Sequence, residues 1–175
     1  NQPMAIVTSG YSGSSFTKSS DETHTLALSQ AIFVYRKEQK IDCHLYPGVA
    51  TNALSAPSFA STMEVLAANH VEVMIATGDE YTPTPVISHA ILQYNSGRKT
   101  GLADGIVLTP SHNPPDDGGF KSHPPSVGPA PGTVTNWIEA KAHALLNTNL
   151  QSVNRLSFTK ALASAPTHRY HFLNT

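Results

Sequence analysis

The sequence between Leu102 and Pro125 constrains the fold of this chain more than any other part. It opens with a short apolar run over residues 105–108, which is typical of a buried strand in an α/β domain. The run ends at Thr109-Pro110, and Ser111 follows at the head of a segment rich in proline and glycine. Because proline fixes φ and glycine permits positive φ, this segment is predicted to be a shaped loop. Open α/β sheets carry their chemistry on loops of this kind, at the ends of strands.

Ser111 is the candidate reactive group of this loop. A serine hydroxyl is a poor nucleophile on its own and needs a base, a metal ion or a neighbouring charge. His112, Asn113 and Lys121 lie within ten residues of it, together with two aspartates that are typical turn residues. From the residues alone two interpretations stay open. The loop either activates a hydroxyl or is a surface loop of ordinary turn residues, which is the commoner meaning of such a pattern.

Apolar strand-like runs alternate with helical patterns along the chain. The predicted elements are a strand over 4–7, a helix from Asp21 or Thr23 to about Lys37, a strand over 43–46 closed by Pro47-Gly48, a helix capped by Ser55 and ended by Asn69-His70, a strand over 71–76, a helix from Thr84 to about Tyr94, the strand over 105–108, a helix capped by Thr133 or Thr135 and running to about Leu146, and a short helix over 158–163. This alternation indicates a layered α/β/α domain with a mostly parallel sheet. The segment 8–15 is rich in glycine and serine, and we expect a loop whose backbone amides can lie against a phosphate.

Composition sets limits on location and partners. A chain of 175 residues suits one domain with a real core. Its net charge of −1 gives no reason to expect a nucleic-acid partner or an acidic membrane surface. The single cysteine, Cys43, excludes an internal disulfide and is expected to be a buried structural thiol. No apolar run reaches the roughly 18 residues of a membrane span, and no secretory signal is evident, so the sequence predicts a cytoplasmic protein.

The nine histidines are scattered along the sequence. Only His168 and His171 are closely spaced, and they fall in a polar tail without a second cluster of ligands. Histidine pairs in zinc sites come with further cysteine, histidine or acidic ligands, so the sequence does not favour a zinc site.

The sequence T-P-S-H-N-P-P-D-D-G-G-F-K, over residues 109–121, closely resembles the phosphoserine loop of the α-D-phosphohexomutases, in particular the bacterial phosphoglucomutases. Residues 124–130 and 134–135 resemble the continuation of that loop, and the resemblance extends thinly over residues 6–165. It implies the family's first domain: three α/β/α layers and a mostly parallel, mixed sheet with one antiparallel strand. That domain is expected over residues 1–150, and residues 151–175 are expected to be a tail leading toward a second domain not present here.

The resemblance also implies a chemistry. Ser111 is expected to carry a phosphate as phosphoserine and to exchange it between the C1 and C6 oxygens of a hexose phosphate, through a bisphosphate. Lys121 corresponds to the family's general acid–base residue, and His112 and Asn113 to residues that line the phosphoserine. Mg²⁺ is implied, bound by the phosphate on Ser111 and by aspartates of a D-G-D-x-D-R loop, which this sequence lacks. Glucose 1,6-bisphosphate is implied as the activator.

The chain departs from the family where the family carries charge. Near the amino terminus it keeps Thr8, Ser9 and Gly10, expected to bind phosphate, but has Ser12 in place of an arginine. Val49 and Ala50 replace a charged pair. Two functions therefore stay open. The chain is the serine domain of a phosphohexomutase, inactive until other domains join it as covalent or packed partners, or it is a non-catalytic relative that serves as a phosphosugar-binding or interaction module.

Overall fold

The described part of the chain alternates strands and helices. In the computed structural model it comprises residues 6–7, 10–14, 18–41, 44–49, 55–76, 84–110, 117–123, 125 and 132–170. The elements in these ranges are β1 (Ile6–Val7), β2 (Gly10–Ser14), α1 (Lys18–Glu38), β3 (Leu45–Val49), α2 (Ser55–Ala68), β4 (Val73–Ala76), α3 (Thr84–Asn95), β5 (Asp104–Pro110), β6 (Asp117–His123), α4 (Gly132–Asn147), α5 (Phe158–Ala163) and β7 (Thr167–Tyr170).

One mixed sheet contains all the described strands, in the order β1-β2-β6-β5-β3-β4-β7. The pairings β5–β3, β3–β4 and β4–β7 are parallel. The pairings β5–β6, β6–β2 and β2–β1 are antiparallel. Strands β1 and β6 therefore run against the other five. The predicted mixed sheet is confirmed; β6 is an antiparallel strand inside it, and the two-residue β1 adds a second one at the edge.

The helices cover the sheet unequally. Alternate residues of a strand face opposite sides of a sheet, and Leu45 and Ile106 belong to the core formed with α1, α2, α4 and α5. Their neighbours Tyr46 and Val107 belong to a smaller core formed with α3. Strands β3 and β5 are therefore buried on both faces, which is typical of parallel strands between helical layers. This is the three-layer α/β/α architecture that the sequence predicts.

Two helices end at residues that adopt positive φ without being glycine. His70 has φ of 58°, and the amide of Val71 donates to the carbonyl of Leu66, so α2 ends where the sequence predicts. Lys40, with φ of 56°, follows α1, and the amide of Ile41 donates to the carbonyl of Arg36. A left-handed residue satisfies the last carbonyls of a helix in this way.

The predicted loop over residues 8–15 is wrong for residues 10–14, which form β2. Glycine and serine have low β propensity, but every residue of β2 pairs with β6, more than a hundred positions away in the sequence. Strand formation here depends on a tertiary partner rather than on local preference. The residues on either side, 8–9 and 15–17, lie outside the described ranges.

Several predicted boundaries are also wrong. Helix α1 begins at Lys18, ahead of both Asp21 and Thr23, and α4 begins ahead of both threonines predicted to cap it. Pro47 and Gly48 do not close β3, because they pair in register with β5. In each case packing or pairing outweighs the local turn and capping preference. Cys43 lies outside the described residues.

The segment 151–170 packs against the domain. Helix α5 has the bounds that the sequence predicts, and β7, which the sequence does not predict, adds to the sheet beside β4. Between them and α4, the amide of Leu156 donates to the carbonyl of Glu64, and Arg155 pairs with Glu64 and Glu22. That this region leads toward a further domain stays a prediction. None of the described helices is both long and apolar enough to cross a membrane.

Gly105, in β5, is where α3 approaches the sheet closely. A Cβ added there would lie 2.7 Å from Cδ1 of Ile91, 3.0 Å from Cγ2 of Ile87 and 3.1 Å from the carbonyl oxygen of Tyr46. We expect Gly105→Ala to lower the free energy of unfolding by about 1–3 kcal/mol, because overpacking must displace α3 or the strand. Urea denaturation of the full chain measures this.

Gly132→Ala is the matched control. A Cβ added at Gly132, the first residue of α4, meets no atom within 4 Å. Because alanine is the better helix former, this variant is expected to be neutral or slightly more stable. Equal denaturation midpoints for the two variants would contradict the close approach of α3.

Candidate functional site

The serine loop, residues 111–116, joins two antiparallel neighbours. It leaves the carboxyl end of β5 after Pro110 and enters β6 at Asp117, and Pro110 pairs with Gly118 at the base of the connection. Ser111, His112 and Asn113 lie in this loop, outside the described residues. The structure therefore fixes the two strands that hold the loop, and these strands place it at the carboxyl edge of the parallel part of the sheet.

Other strand ends meet at the same edge. Val49, the last residue of β3, pairs with Leu108 of β5, and Ser14, the last residue of β2, pairs with Asp117 of β6. We call the edge formed by Ser14, Val49, Pro110 and Asp117 the serine-loop edge. Chain segments that follow β2, β3 and β5 all begin there, and this is where open α/β sheets bind their ligands.

Lys121 and Gly10 are brought together by the sheet. The backbone of Lys121 pairs with Gly10 on one side and with Val107 on the other. Lys121 lies three register positions from the pair of Pro110 and Gly118, which corresponds to about 10 Å along a strand. Thr8 and Ser9 immediately precede β2 and lie outside the described residues, so the structure tests neither of them.

Two of the positions where the chain departs from the family pattern lie at or near this edge. Ser12 is on β2 opposite Gly119, and Val49 ends β3. Ala50 follows Val49 and lies outside the described residues. The two described departures are therefore close in the sheet to the strand ends that hold the serine loop. Asp117, expected to be a turn residue, begins β6, whereas Asp116 lies outside the described residues.

A buried ion pair anchors the opposite end of β5. The Nε of Arg36, in α1, donates to both carboxylate oxygens of Asp104, the first residue of β5, at 3.0 and 3.1 Å. The two side chains are only 5% and 9% exposed. Desolvation by burial raises the pKa of Asp104 from its ordinary value of 3.8 to about 6, although Arg36 opposes the shift. No local sequence motif points to Arg36 or Asp104 as partners, because 68 positions separate them.

The side chain of Asn95 hydrogen-bonds to both segments that flank the β5–β6 hairpin, at the amino end of β5. Its Oδ1 accepts from the amide of Ala103 at 2.7 Å, and its Nδ2 donates to the carbonyls of Ala103 and Pro125 at 2.9 and 3.2 Å. Ala103 precedes β5 and Pro125 follows β6, so one side chain holds both strands of the hairpin. The amino end of β5 is therefore fixed by the ion pair of Arg36 and Asp104 and by hydrogen bonds from the side-chain amide of Asn95.

The described residues do not test the magnesium site implied by the family resemblance, because Ser111, which would bind the ion through its phosphate, lies outside them. One group of three described side chains has the composition and spacing to hold a metal ion, and it consists of His44, Glu72 and His168. These residues lie at or near the amino ends of β3, β4 and β7, the edge opposite the serine loop. Two of the three offer imidazole nitrogen, whereas Mg²⁺ takes oxygen ligands. Burial lowers the pKa of His44 below its ordinary value, against the opposing effect of Glu72.

The fold and the loop together define a class of protein: a three-layer α/β/α domain with a serine loop at the carboxyl edge of a mixed sheet. The family model described as phosphoglucomutase/phosphomannomutase, alpha/beta/alpha domain I, matches residues 4–149. This chain belongs to the phosphoglucomutase/phosphomannomutase family, and the resemblance noted in the sequence is confirmed.

Individual relatives agree with this assignment. The chain is 50% identical over 172 residues to the phosphoglucomutase of Komagataeibacter xylinus. The matched region makes up 98% of this chain and 31% of that protein. The structure of parafusin, a phosphoglucomutase from Paramecium, matches with a TM-score of 0.67 at 25% identity, over 81% of this chain and 26% of that one. A phosphoglucomutase/phosphomannomutase family protein from Burkholderia thailandensis matches in fold, with a TM-score of 0.61 at 20% identity, over 95% of this chain and 33% of its own. The chain thus spans about a third of the length of these relatives or less.

Removing Arg36 is expected to destabilise the chain in a pH-dependent way. In Arg36→Met the cation that holds down the pKa of Asp104 is lost, so that pKa rises further above its unfolded value. An acid with a raised folded pKa contributes stability that is present below its unfolded pKa and is lost as the pH rises through the folded pKa. We expect a loss of roughly 3–5 kcal/mol at pH 8. The loss is expected to be smaller at pH 5, because Asp104 is already largely protonated there in the native chain.

Urea denaturation at both pH values measures the effect. The double variant Arg36→Met/Asp104→Asn is the control, because it removes the titrating group, so its stability should not fall between pH 5 and pH 8 on account of residue 104. An Arg36→Met variant that loses equal stability at pH 5 and pH 8 would show that Arg36 does not hold down the pKa of Asp104.

Proposed function

We propose that this chain supplies the serine-bearing domain of a phosphoglucomutase-type phosphohexomutase, an isomerase of hexose phosphates. The observation that supports this most directly is the position of the serine loop. It joins β5 to β6 at the carboxyl edge of the sheet, in a chain that is 50% identical over 172 residues to a phosphoglucomutase. In this proposal the remaining domains, and with them sugar recognition, are supplied by covalent or packed partners.

In this proposal Ser111 carries the phosphoryl group. When it is transferred to a hexose phosphate, the bond between phosphorus and Oγ of Ser111 breaks as a bond to the sugar hydroxyl oxygen forms. The hydroxyl proton passes to the uncharged amine of Lys121, and Oγ takes up a proton as it leaves. The return transfer, from the other phosphate of the bisphosphate, restores phosphoserine and releases the isomeric monophosphate.

The neighbouring residues have supporting roles in this proposal. His112 and Asn113 line the phosphoserine, with His112 acting in catalysis, and the segment Thr8-Ser9-Gly10 binds phosphate. Gly10 pairs with Lys121 in the sheet, which supports placing this segment beside the general acid–base residue. A bound Mg²⁺ would share the charge of the transferring phosphoryl group. Glucose 1,6-bisphosphate is the proposed source of the phosphate on Ser111, and the cytoplasmic location stays a prediction from the sequence.

One observation favours a second candidate. Ser12 and Val49 are both at or near the serine-loop edge, where the family carries charged residues. A phosphoryl group spreads negative charge over its oxygens, and transfer is fast only when cations stabilise that charge. A chain that has lost these cations serves as a non-catalytic phosphosugar-binding or interaction module. Such a module binds hexose phosphate but does not become phosphorylated.

Phosphorylation of Ser111 separates the two candidates. We expect intact-mass spectrometry of the full chain, after incubation with glucose 1,6-bisphosphate and Mg²⁺, to show the mass of one added phosphoryl group. Ser111→Ala is expected to abolish the addition. Ser157→Ala is the matched control, because Ser157 is exposed and makes no capping hydrogen bond at α5. Addition that persists in Ser111→Ala, or no addition to the native chain, would overturn the enzyme proposal.

The isolated chain is expected to be inactive in turnover. It holds no D-G-D-x-D-R loop, and it spans only 31% of its Komagataeibacter relative. We expect conversion of glucose 1-phosphate, followed by a coupled dehydrogenase assay with Mg²⁺ and the bisphosphate, to stay at the rate of the Ser111→Ala variant. Turnover above that rate would show that this domain completes the site by itself.

A further inference from the structure

Three polar side chains meet at the edge of the sheet opposite the serine loop. His44 immediately precedes β3, Glu72 immediately precedes β4, and His168 is the second residue of β7. We call these residues the amino-edge cluster. Strands β3, β4 and β7 are consecutive and parallel in the sheet, so their amino ends lie side by side. The four residue steps of β3 separate this edge from the serine-loop edge by roughly 13 Å.

Strand alternation places the three side chains on one face of the sheet. Residues two apart in a strand share a face, so Glu72 shares a face with Met74, which packs against the core beneath α3. His168 pairs with Met74 and therefore shares this face, and His44 lies two residues before Tyr46, a member of the same core. The cluster is thus held on the α3 side of the sheet by the register of three strands.

The ligand atoms of the cluster are close together. One ligand atom from each residue lies within 4.8 Å of the other two. The Nε2 of His44 is 3.4 Å from a carboxylate oxygen of Glu72, and the rings of His44 and His168 are 5.4 Å apart at 79°. Metal–ligand bonds of about 2.0–2.1 Å in tetrahedral geometry bring ligand atoms to about 3.3 Å from one another. The Glu72 side chain is 49% exposed and can close the remaining gap by a change of rotamer.

Tyr94 orients the ring of His44. The Nδ1 of His44 is 3.1 Å from the hydroxyl oxygen of Tyr94, on the last turn of α3. When Nδ1–H donates to this oxygen, the lone pair of Nε2 faces the carboxylate of Glu72. A lone pair and a carboxylate oxygen repel each other unless a proton or a cation lies between them. Metal-binding histidines are oriented in the same way, by a hydrogen bond from the second ring nitrogen.

His168 supplies an independent observation. Its Nε2 is buried and has no hydrogen-bond partner among the described residues. Buried polar atoms without a partner are rare, because burial costs the atom its hydrogen bonds to water. A metal ion bound through Nε2 would satisfy this nitrogen.

We propose that the amino-edge cluster binds one divalent transition-metal ion, with Zn²⁺ the best fit. Two imidazole nitrogens and one carboxylate oxygen are a zinc donor set, and three protein ligands leave a fourth position for water. Mg²⁺ and Ca²⁺ are disfavoured by the nitrogen donors. The ion links β3, β4 and β7 on the side of the sheet away from the phosphoryl chemistry, and it does not depend on the function proposed for Ser111.

Metal binding by the full, untagged chain tests this proposal. Equilibrium dialysis is expected to give one tightly held Zn²⁺ per chain, and Co²⁺ is expected to give the visible absorption of a site with low coordination number. Glu72→Gln and His168→Gln are each expected to weaken binding by more than about tenfold, and Tyr94→Phe by about tenfold through the orientation of His44. His89→Gln is the control, because His89 is exposed on α3 and lies outside the cluster.

Each result of the Zn²⁺ binding experiment either supports or overturns the proposed site. Zn²⁺ binding lost in the cluster variants and kept in His89→Gln supports the site. No binding, or binding that survives both Glu72→Gln and His168→Gln, overturns it. If His168→Gln does not fold, as judged by circular dichroism, Glu72→Gln decides the question, because the half-exposed side chain of Glu72 can be changed without opening the core.

Discussion

Strand β5 is paired in parallel on one side and antiparallel on the other, and this difference decides how the chain connects its strands. On one side β5 pairs in parallel with β3, and on the other it pairs antiparallel with β6. Parallel neighbours need a long crossover, whereas antiparallel neighbours allow a short connection. The chain therefore crosses by way of helices in the parallel part of the sheet, and turns back directly from β5 to β6 after Pro110. The short connection that contains Ser111 in the sequence therefore begins and ends at the pair of Pro110 and Gly118.

The amino end of β5 shows how this register is kept. An ion pair as deeply buried as that of Arg36 and Asp104 contributes little net stability, because desolvation of the two charges offsets their attraction. Its geometry is nonetheless demanding, since one nitrogen reaches both carboxylate oxygens. A slip of β5 by one residue would separate the charges and would also exchange the faces of Ile106 and Val107, which belong to different cores. We infer that the ion pair selects the register of β5, and through it the position of the serine loop, more than it adds to stability.

Local signals account for the parts of the fold that the sequence predicts. The apolar run in β5, the end of α2 at Asn69-His70 and both bounds of α5 follow from patterns within a few residues. Strands β2 and β7 cannot be predicted from such local patterns. Their sequences are polar, and they form strands only because they pair with β6 and β4. The same holds for the site. The sequence names Lys121 and Gly10 on resemblance, but their pairing follows from strand order. His44, Glu72 and His168 are brought together only by three parallel strands, a signal that becomes visible once the order β3-β4-β7 is known.

The two edges of the sheet have different requirements, which explains how one domain can hold a phosphoryl carrier and a metal ion without conflict. Phosphoryl transfer needs a loop that a sugar can reach, and the carboxyl edge provides such loops. A structural ion needs ligands fixed by several strands at once, and the amino-edge cluster has them from β3, β4 and β7. Strand β7 pairs only with β4 among the described strands. An ion bound by His44 and His168 would tie β7 to β3 across the intervening strand, and would stabilise the edge of the sheet where the backbone ladder ends.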